Sequence, residues 1–142
     1  MTPFIEFTFI KEEDISSIIP LLQLLDPKIP SQTLQLRLDA MIKQDYQCIG
    51  MYDDQKLIGI CGIWTLTKYY VGKHLEIDNI IILPEYQSQG IGSQLMRWVD
   101  DYAKNNDCFA TELNCYIHND KAHEFWAKEG YKKIALHFQK KY

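Results

Sequence analysis

The residues with the clearest chemical capacity run Pro84-Glu85-Tyr86-Gln87-Ser88-Gln89-Gly90-Ile91-Gly92-Ser93-Gln94-Leu95. They follow the strand-like run Leu75 to Leu83 and open an amphipathic helix. The first turn of a helix has backbone N–H groups without partners, and the macrodipole is positive there. A strand, a glycine turn and a helix N-terminus therefore make an anion site. Gly90 and Gly92 lack a Cβ, so a ligand can approach the backbone closely. The ligand this predicts is a phosphate or pyrophosphate. Two common phosphate loops fit poorly. A P-loop ends in Gly-Lys-Ser/Thr, whereas Gly92 is followed by Ser93 and Gln94. A dinucleotide fingerprint needs a third small residue and then, about 20 residues on, an acid at a strand end. Leu95 and Asp107 hold those places, and Asp107 sits in the polar turn Asn105-Asn106-Asp107. Two carboxylates, Glu76 and Asp78, stand on the preceding strand, and alternation puts both on one face with Ile80 and Ile82.

The turn also reads as Gln-x-x-Gly-x-Gly, Gln87 to Gly92, preceded by Ile82-x-Pro84. In this form it resembles the pyrophosphate-binding motif of the GNAT superfamily of acyl-CoA-dependent N-acetyltransferases. A second block, Asn119-x-x-Ala122-x-x-Phe125-Trp126-x-Lys128-x-Gly130-Tyr131, is similar to the family's C-terminal motif. The resemblance covers the chain in outline and is specific from Glu76 to Tyr131. It implies acetyl-CoA as cosubstrate, its pyrophosphate lying on the turn formed by Gln87, Ser88, Gln89, Gly90, Ile91, Gly92 and Ser93. It further implies that the pantetheine arm pairs with the backbone of Ile81 and Ile82, and that the Ile82 N–H faces the thioester oxygen. Asn119 would touch the cofactor arm or cap the last helix, and Lys121 would reach a phosphate or stand in solvent.

The acceptor that the resemblance implies is a primary amine, on a small molecule or a peptide. An alkyl ammonium has a pKa of about 10.4, so a base must take a proton from it near neutral pH. Glu76 is the first choice, because it lies eleven residues before Gln87, the spacing of the base in some GNAT histone acetyltransferases. Asp78 is the rival, and ordinary solvation or ion pairing is the competing reading for both. Trp126 departs from the family's usual Tyr, whose phenol protonates the leaving thiolate; an indole N–H only donates. Core packing accounts for Trp126 equally well. Trp64, Tyr69 and Tyr70 lie where the family often builds its acceptor pocket, and aromatic walls suit a cation. His74, His118, His123 and His137 are scattered, with His118 at a strand end.

The chain has 142 residues, 46% hydrophobic and 24% charged, the mix of one ordinary globular domain spanning residues 1–142. It has no apolar run long enough to span a membrane, and Met1-Thr2-Pro3-Phe4 carries neither a basic region nor a signal-type core. The expectation is a soluble cytoplasmic protein. A net charge of −4 argues against broad nucleic-acid binding and mildly favours a cationic acceptor. Cys48, Cys61, Cys108 and Cys115 form no C-x-x-C pair and read as reduced, buried thiols. No His/Cys/Asp cluster has metal-ligand spacing, so no metal is expected.

These residues must be positioned by a recognisable series of elements. Phe4 to Ile10 alternates as a strand, and an apolar stripe from Ile15 to Leu25 marks a helix that Pro20 should break. Ser31 is the expected N-cap of a second helix. Tyr46–Tyr52, Leu57–Thr67 and Leu75–Leu83 read as strands, the last with an end buried on both faces. A helix from the glycine turn, a strand Phe109–Ile117, a helix capped at Asn119 or Asp120, and a final strand Tyr131–Tyr142 complete the order. The expected class is α/β (α+β): a GNAT-like mixed, mostly antiparallel sheet flanked by helices. A parallel, splayed strand pair would form the cofactor cleft. The function expected is acetyl transfer from acetyl-CoA to an amine. The alternatives are a catalytically weak acyl-CoA-binding regulatory module and a toxin acetylating aminoacyl-tRNA, against which the acidic balance counts. A homodimer is compatible with the family.

Overall fold

The computed structural model describes residues 3–142; Met1 and Thr2, part of the N-terminal stretch considered above, lie outside the described residues. The chain falls into two compact units, Met1–Glu112 and Leu113–Tyr142. The first begins with β1 (Ile5–Phe9) and a 3-10 segment (Glu12–Ile18) that continues into α1 (Ile19–Leu25). Then come α2 (Ser31–Lys43), β2 (Gln47–Asp53), β3 (Lys56–Lys68), β4 (Gly72–Ile82) and α3 (Ile91–Asn105). β5 (Ala110–Leu113) reaches the end of this unit at Glu112, its last residue already counting with the second, to which α4 (Asp120–Lys128) belongs. The break expected at Pro20 is the change from 3-10 to α geometry, with Pro20 in the first turn of α1, where its missing N–H has no bond to lose. Ser31 is not the cap: Pro30 holds that position and α2 starts uncapped by a side chain.

The five strands lie in the order β1-β2-β3-β4-β5. The first three pairings are antiparallel and the last is parallel, so the sheet is mixed, as expected. On one face Ile15, Ile18 and Leu21 pack with Leu38, Tyr46, Cys48 and Ile60. The stripe of α3 buries Ile91, Leu95, Met96, Val99 and Ala103. Phe9 of β1 meets Trp98 and Tyr102 of α3 edge-on, at 5.4 and 5.1 Å between ring centres. Cys48 and Cys61 are buried free thiols, as expected, and Cys108 and Cys115 are free but only half-buried. Burial pushes the Cys48 thiol up to about 11 and raises that of Cys61, which makes both inert as nucleophiles.

One irregularity reorders the face of β4. Ile63 pairs with Ile77, but Cys61 pairs with Ile80, so Asp78 and Asn79 together oppose Gly62. This is a β-bulge, and an extra residue inverts the alternation beyond it. Glu76, Asp78 and Asn79 share the face of Trp64 and Tyr46, to which Asp78 and Asn79 are hydrogen-bonded. Ile81 then packs on that face with the α1–α2 core, while Ile80 and Ile82 turn to the other. Glu76 and Asp78 therefore do share a face, but not with Ile80 and Ile82. The end of β4 is also half-buried at Ile80 to Leu83 rather than buried on both sides.

Two expected strands are shorter or missing. β5 stops at Leu113 instead of Ile117, and residues 131–142 form no strand. The apolar alternation Ile134, Leu136, Phe138 is real, but these side chains are 75%, 73% and 87% exposed. Period-two patterning marks a segment able to pair; only a partner backbone makes it a strand. In the second unit α4 begins on Asn119, whose side chain accepts from Ala122 N–H at 3.1 Å. It ends at Gly130, φ 93°, with Tyr131 N–H on Trp126 O and Gly130 N–H on Ala127 O. That is a Schellman ending, as the sequence suggests.

Candidate active site

The glycine turn links β4 to α3. A short 3-10 turn, Pro84–Tyr86, leads out of the strand, pinned by the Tyr86 hydroxyl on Asp53 at 2.6 Å. Ser88 (φ 61°) and Gly90 (φ 79°) then take left-handed conformations, which is how the chain reverses in so few residues. The two glutamines of the motif bond inward: Gln87 Nε2 donates to Ile82 O at 2.8 Å and Gln89 Nε2 to Glu85 O at 3.1 Å. Gly90 is the N-cap of α3 and supplies no side-chain acceptor, so its left-handed geometry rather than a cap side chain starts the helix. A Cβ placed on Gly90 would meet nothing within 4 Å; the space beside the backbone is open. The first N–H groups of a 15-residue helix, those of Ile91 and Gly92, thus face an approachable, positively polarised end.

The strand leading into this turn has a free edge. Phe109 N–H bonds Lys73 O at 2.8 Å, so β5 starts beside the beginning of β4 and, at four residues against eleven, covers only its first half. Along the second half no strand lies on that side among the described residues. Leu83 N–H donates to Ile58 O on the β3 side. Alternation of backbone groups turns the Ile82 N–H toward the free edge, where an extended ligand could accept it.

Glu76 is the centre of a charged cluster that the sequence reading missed. The ring of His74, fully buried, lies with Nε2 2.9 Å from Glu76 Oε2 and 3.9 Å from Glu112 Oε1. Lys68 Nζ is 2.9 Å from the same Glu76 oxygen, and the Tyr70 hydroxyl donates to Glu112 at 2.6 Å. Burial alone would raise Glu76, but the hydrogen bonds and charges of His74 and Lys68 outweigh it and hold its carboxyl below the usual range. Burial would lower His74; the Gly72 carbonyl and the two carboxylates outweigh that, and its pKa is raised. The donor atoms of His74, Glu76 and Glu112 lie within 4.8 Å of one another, a set able to hold a metal ion. Lys68 already sits on Glu76, and Lys68 with a protonated His74 balances the two carboxylates, so the arrangement is satisfied as an ion-pair network.

Asp78 is exposed and accepts from Trp64 Nε1 at 2.9 Å. Trp64 is stacked obliquely on Tyr46, whose phenol donates to Asn79 at 2.7 Å. Of the expected acceptor aromatics, Tyr69 is fully exposed and Tyr70 is half-exposed on Glu112. A His74-Glu76-Asp78 stripe was legible from alternation alone. Glu112 was not, because it arrives through the pairing of β5 with β4.

The second unit carries the remaining candidates. Asn119 is engaged as the α4 cap, Lys121 is exposed, and Trp126 is buried between Phe125 (4.9 Å) and Tyr131 (5.1 Å), both edge-on. His118 is exposed.

The model of the acetyltransferase (GNAT) family matches residues 17–131. The chain belongs to this family. Among curated relatives of this GNAT protein, the aminoalkylphosphonate N-acetyltransferase of Salmonella typhimurium is 38% identical over 65 residues, 46% of this chain and 42% of the relative. An uncharacterized N-acetyltransferase of Bacillus subtilis is 23% identical over 116 residues, 81% of this chain and 82% of the relative. The chain thus spans less than half of the first relative's length. Among solved structures, aminoglycoside N-acetyltransferase AAC(6')-Iy in complex with CoA superposes with a TM-score of 0.83 at 15% identity, over 97% of this chain and 95% of that one. At that identity the match establishes the shared GNAT fold. No helix among the described residues is long and apolar enough to cross a membrane.

Proposed function

We propose that this GNAT protein transfers the acetyl group of acetyl-CoA directly to a primary amine. The observation that carries the reading is the junction of β4 and α3. There a left-handed Gly90 with open space beside it, an uncapped helix N-terminus and the outward Ile82 N–H follow one another along the chain. The residues fit a pyrophosphate at the turn from Gln87 to Ser93 and an extended arm along Ile81 and Ile82. Acetyl-CoA supplies the activated thioester. The chain's own groups bind and orient: helix N–H groups hold the anion, and the Ile82 N–H stabilises negative charge on the thioester oxygen, worth several kcal/mol when preorganised. Glu76 and Asp78, on one face of the same strand, are the groups that take the acceptor's proton. A relative named for aminoalkylphosphonates and structures named as aminoglycoside acetyltransferases support a small-molecule amine as acceptor. A lysine or peptide amine is the other acceptor class. Asn119, Lys121 and Trp126, all in the second unit, are cofactor candidates by family position alone.

The test is a thermal-shift titration with acetyl-CoA, with NADH and ATP as controls, on the wild type and on Gly90→Val. Saturation at about 100 times Kd should add roughly 2.7 kcal/mol to the wild type. The valine variant, forced out of φ 79°, should remain folded and show no shift. An equal shift in both proteins would remove the turn from the binding site. Binding without acetylation of any amine would make the protein a binding module.

A further inference from the structure

A proton leaving the acceptor ammonium needs a destination, and Glu76 by itself is a poor one. Alkyl ammonium groups hold protons to about pH 10.4 and carboxylates to about 4.3, a mismatch of about six units. An imidazole near about 6.5 narrows the gap to roughly four. His74 lies directly behind Glu76. Its Nδ1 is 2.9 Å from the Gly72 carbonyl oxygen, and a carbonyl only accepts, so Nδ1 carries a hydrogen. The titrating atom is therefore Nε2, which faces Glu76 Oε2 at 2.9 Å. A neutral ring would set its lone pair against a carboxylate, two acceptors in contact; one shared proton satisfies both.

Every group facing the ring can be named. Glu76 comes from β4, Glu112 from β5, Lys68 from the end of β3, and Tyr70 from the β3–β4 turn. Lys68 anchors Glu76 and Tyr70 anchors Glu112, so neither carboxylate is free to swing off the ring. His74 has no exposed surface, whereas the Glu76 side chain is 24% exposed. Glu112 is similarly exposed but lies 3.9 Å from Nε2, so Glu76 at 2.9 Å is the carboxylate within hydrogen-bond reach for a proton on its way to His74.

We propose that Glu76 and His74 act as one proton-accepting pair, Glu76 meeting the acceptor's ammonium directly or through one water and His74 taking the proton up at Nε2. The inference rests on the acetyl-transfer reading above. The ammonium N–H bond breaks, its electron pair stays on nitrogen as the nucleophilic lone pair, and the proton goes to the Glu76 carboxylate. In the form that prevails above the His74 midpoint, where Nε2 carries a lone pair, the Glu76 proton then passes to it, leaving Glu76 ionised and His74 an imidazolium. The neutral amine forms the C–N bond to the acetyl carbon, the C–S electrons leave with sulfur, and the second amine proton yields the thiol. His74 returns its proton to solvent through Glu76. The raised proton affinity of the ring and the lowered affinity of Glu76 agree with the proton resting on His74. His74 acts through Glu76 and is a relay and positioning residue; it touches no substrate.

Two measurements on the full chain test the pair. The first needs no turnover: imidazole NMR of His74 across pH, in the wild type and in Glu76→Gln. The wild-type ring should titrate at Nε2 above about 6.5 with Nδ1–H retained, and Glu76→Gln should lower the midpoint by about one unit or more. A midpoint indifferent to Glu76→Gln overturns the pair, whether or not an acceptor is known. The second is kcat/KM against pH with acetyl-CoA and an amine panel of an aminoalkylphosphonate, an aminoglycoside and a lysine peptide. Wild-type activity should rise with pH through the His74 midpoint. His74→Gln can still donate to Glu76 but cannot titrate; it should lower kcat about 100-fold and move the rise into the carboxylate range, with acetyl-CoA affinity unchanged. Wild-type kcat and an unmoved profile in His74→Gln overturn the proposal, as does loss of the profile in Asp78→Asn alone. A wild type that binds acetyl-CoA yet acetylates no amine fails the acetyl-transfer reading instead, and the NMR titration still decides the pair.

Discussion

Opposite the bulge in β4, Gly62 stands where a side chain has no room. A Cβ there would overlap Asn79 Oδ1 and the Tyr46 hydroxyl, the two atoms whose hydrogen bond fixes the bulge. Both belong to side chains, and Asn79 adjoins Asp78 in the bulge, so a side chain at Gly62 would press on the face of the site. Gly62→Ala should lower stability by about 1–3 kcal/mol, the usual range for overpacking, as measured by denaturant unfolding. It should also lower acetylation of any accepted amine more than it weakens acetyl-CoA binding, because the turn after Ile82 is untouched. A variant with wild-type stability would mean that Tyr46 and Asn79 can step aside. The same bulge leaves Asn79 Nδ2 buried without a hydrogen-bond partner, a local cost that a register-keeping device can bear.

Among the elements, α3 and α4 start differently, and the difference tracks what each end can do. The α3 N-terminus begins on a glycine with no capping side chain, which leaves the Ile91 and Gly92 N–H groups available to an anion. The α4 N-terminus begins on Asn119, whose side chain already occupies the Ala122 N–H. Asn119→Ala should therefore cost about 1 kcal/mol through the lost cap. If capping is its whole role, acetyl-CoA affinity, measured by calorimetry, should change by less than about twofold. A tenfold loss of affinity with only a small loss of stability would assign Asn119 to the cofactor instead.

For the molecule as a whole, the His74 network links stability to pH with a definite sign. The folded pKa of His74 is raised above 6.5, so its contribution is complete below that value and fades as pH rises through the folded value. Glu76 is depressed below 4.5, so its contribution is present above that value and fades as pH falls through the folded one. The network should therefore stabilise most between those limits. The stability difference between wild type and His74→Gln, from urea unfolding at several pH values, should peak near pH 5–6 and shrink by about pH 9. A difference independent of pH would mean that His74 is neutral in the folded protein.

Local rules made much of this protein legible in its sequence. The glycine turn, the starts and stops of α3 and α4 and the change of geometry at Pro20 depend on residues within a few positions of one another. Two blocks of such residues were enough to name the family. The Glu76 and Asp78 pairing to one face was legible for the same reason, since alternation is a property of one strand. What the sequence missed depends on which strand lies beside which. The bulge opposite Gly62 comes from the register of β3 on β4, and it turned Ile80 and Ile82 away from the carboxylates. The network around His74 required Lys68 from β3 and Glu112 from β5. Residues 131–142 carry the alternation of a strand but form none. Periodicity records what a segment is able to bury and bond. Only the tertiary structure supplies the partner, because a sheet hydrogen bond joins residues that may stand anywhere along the chain.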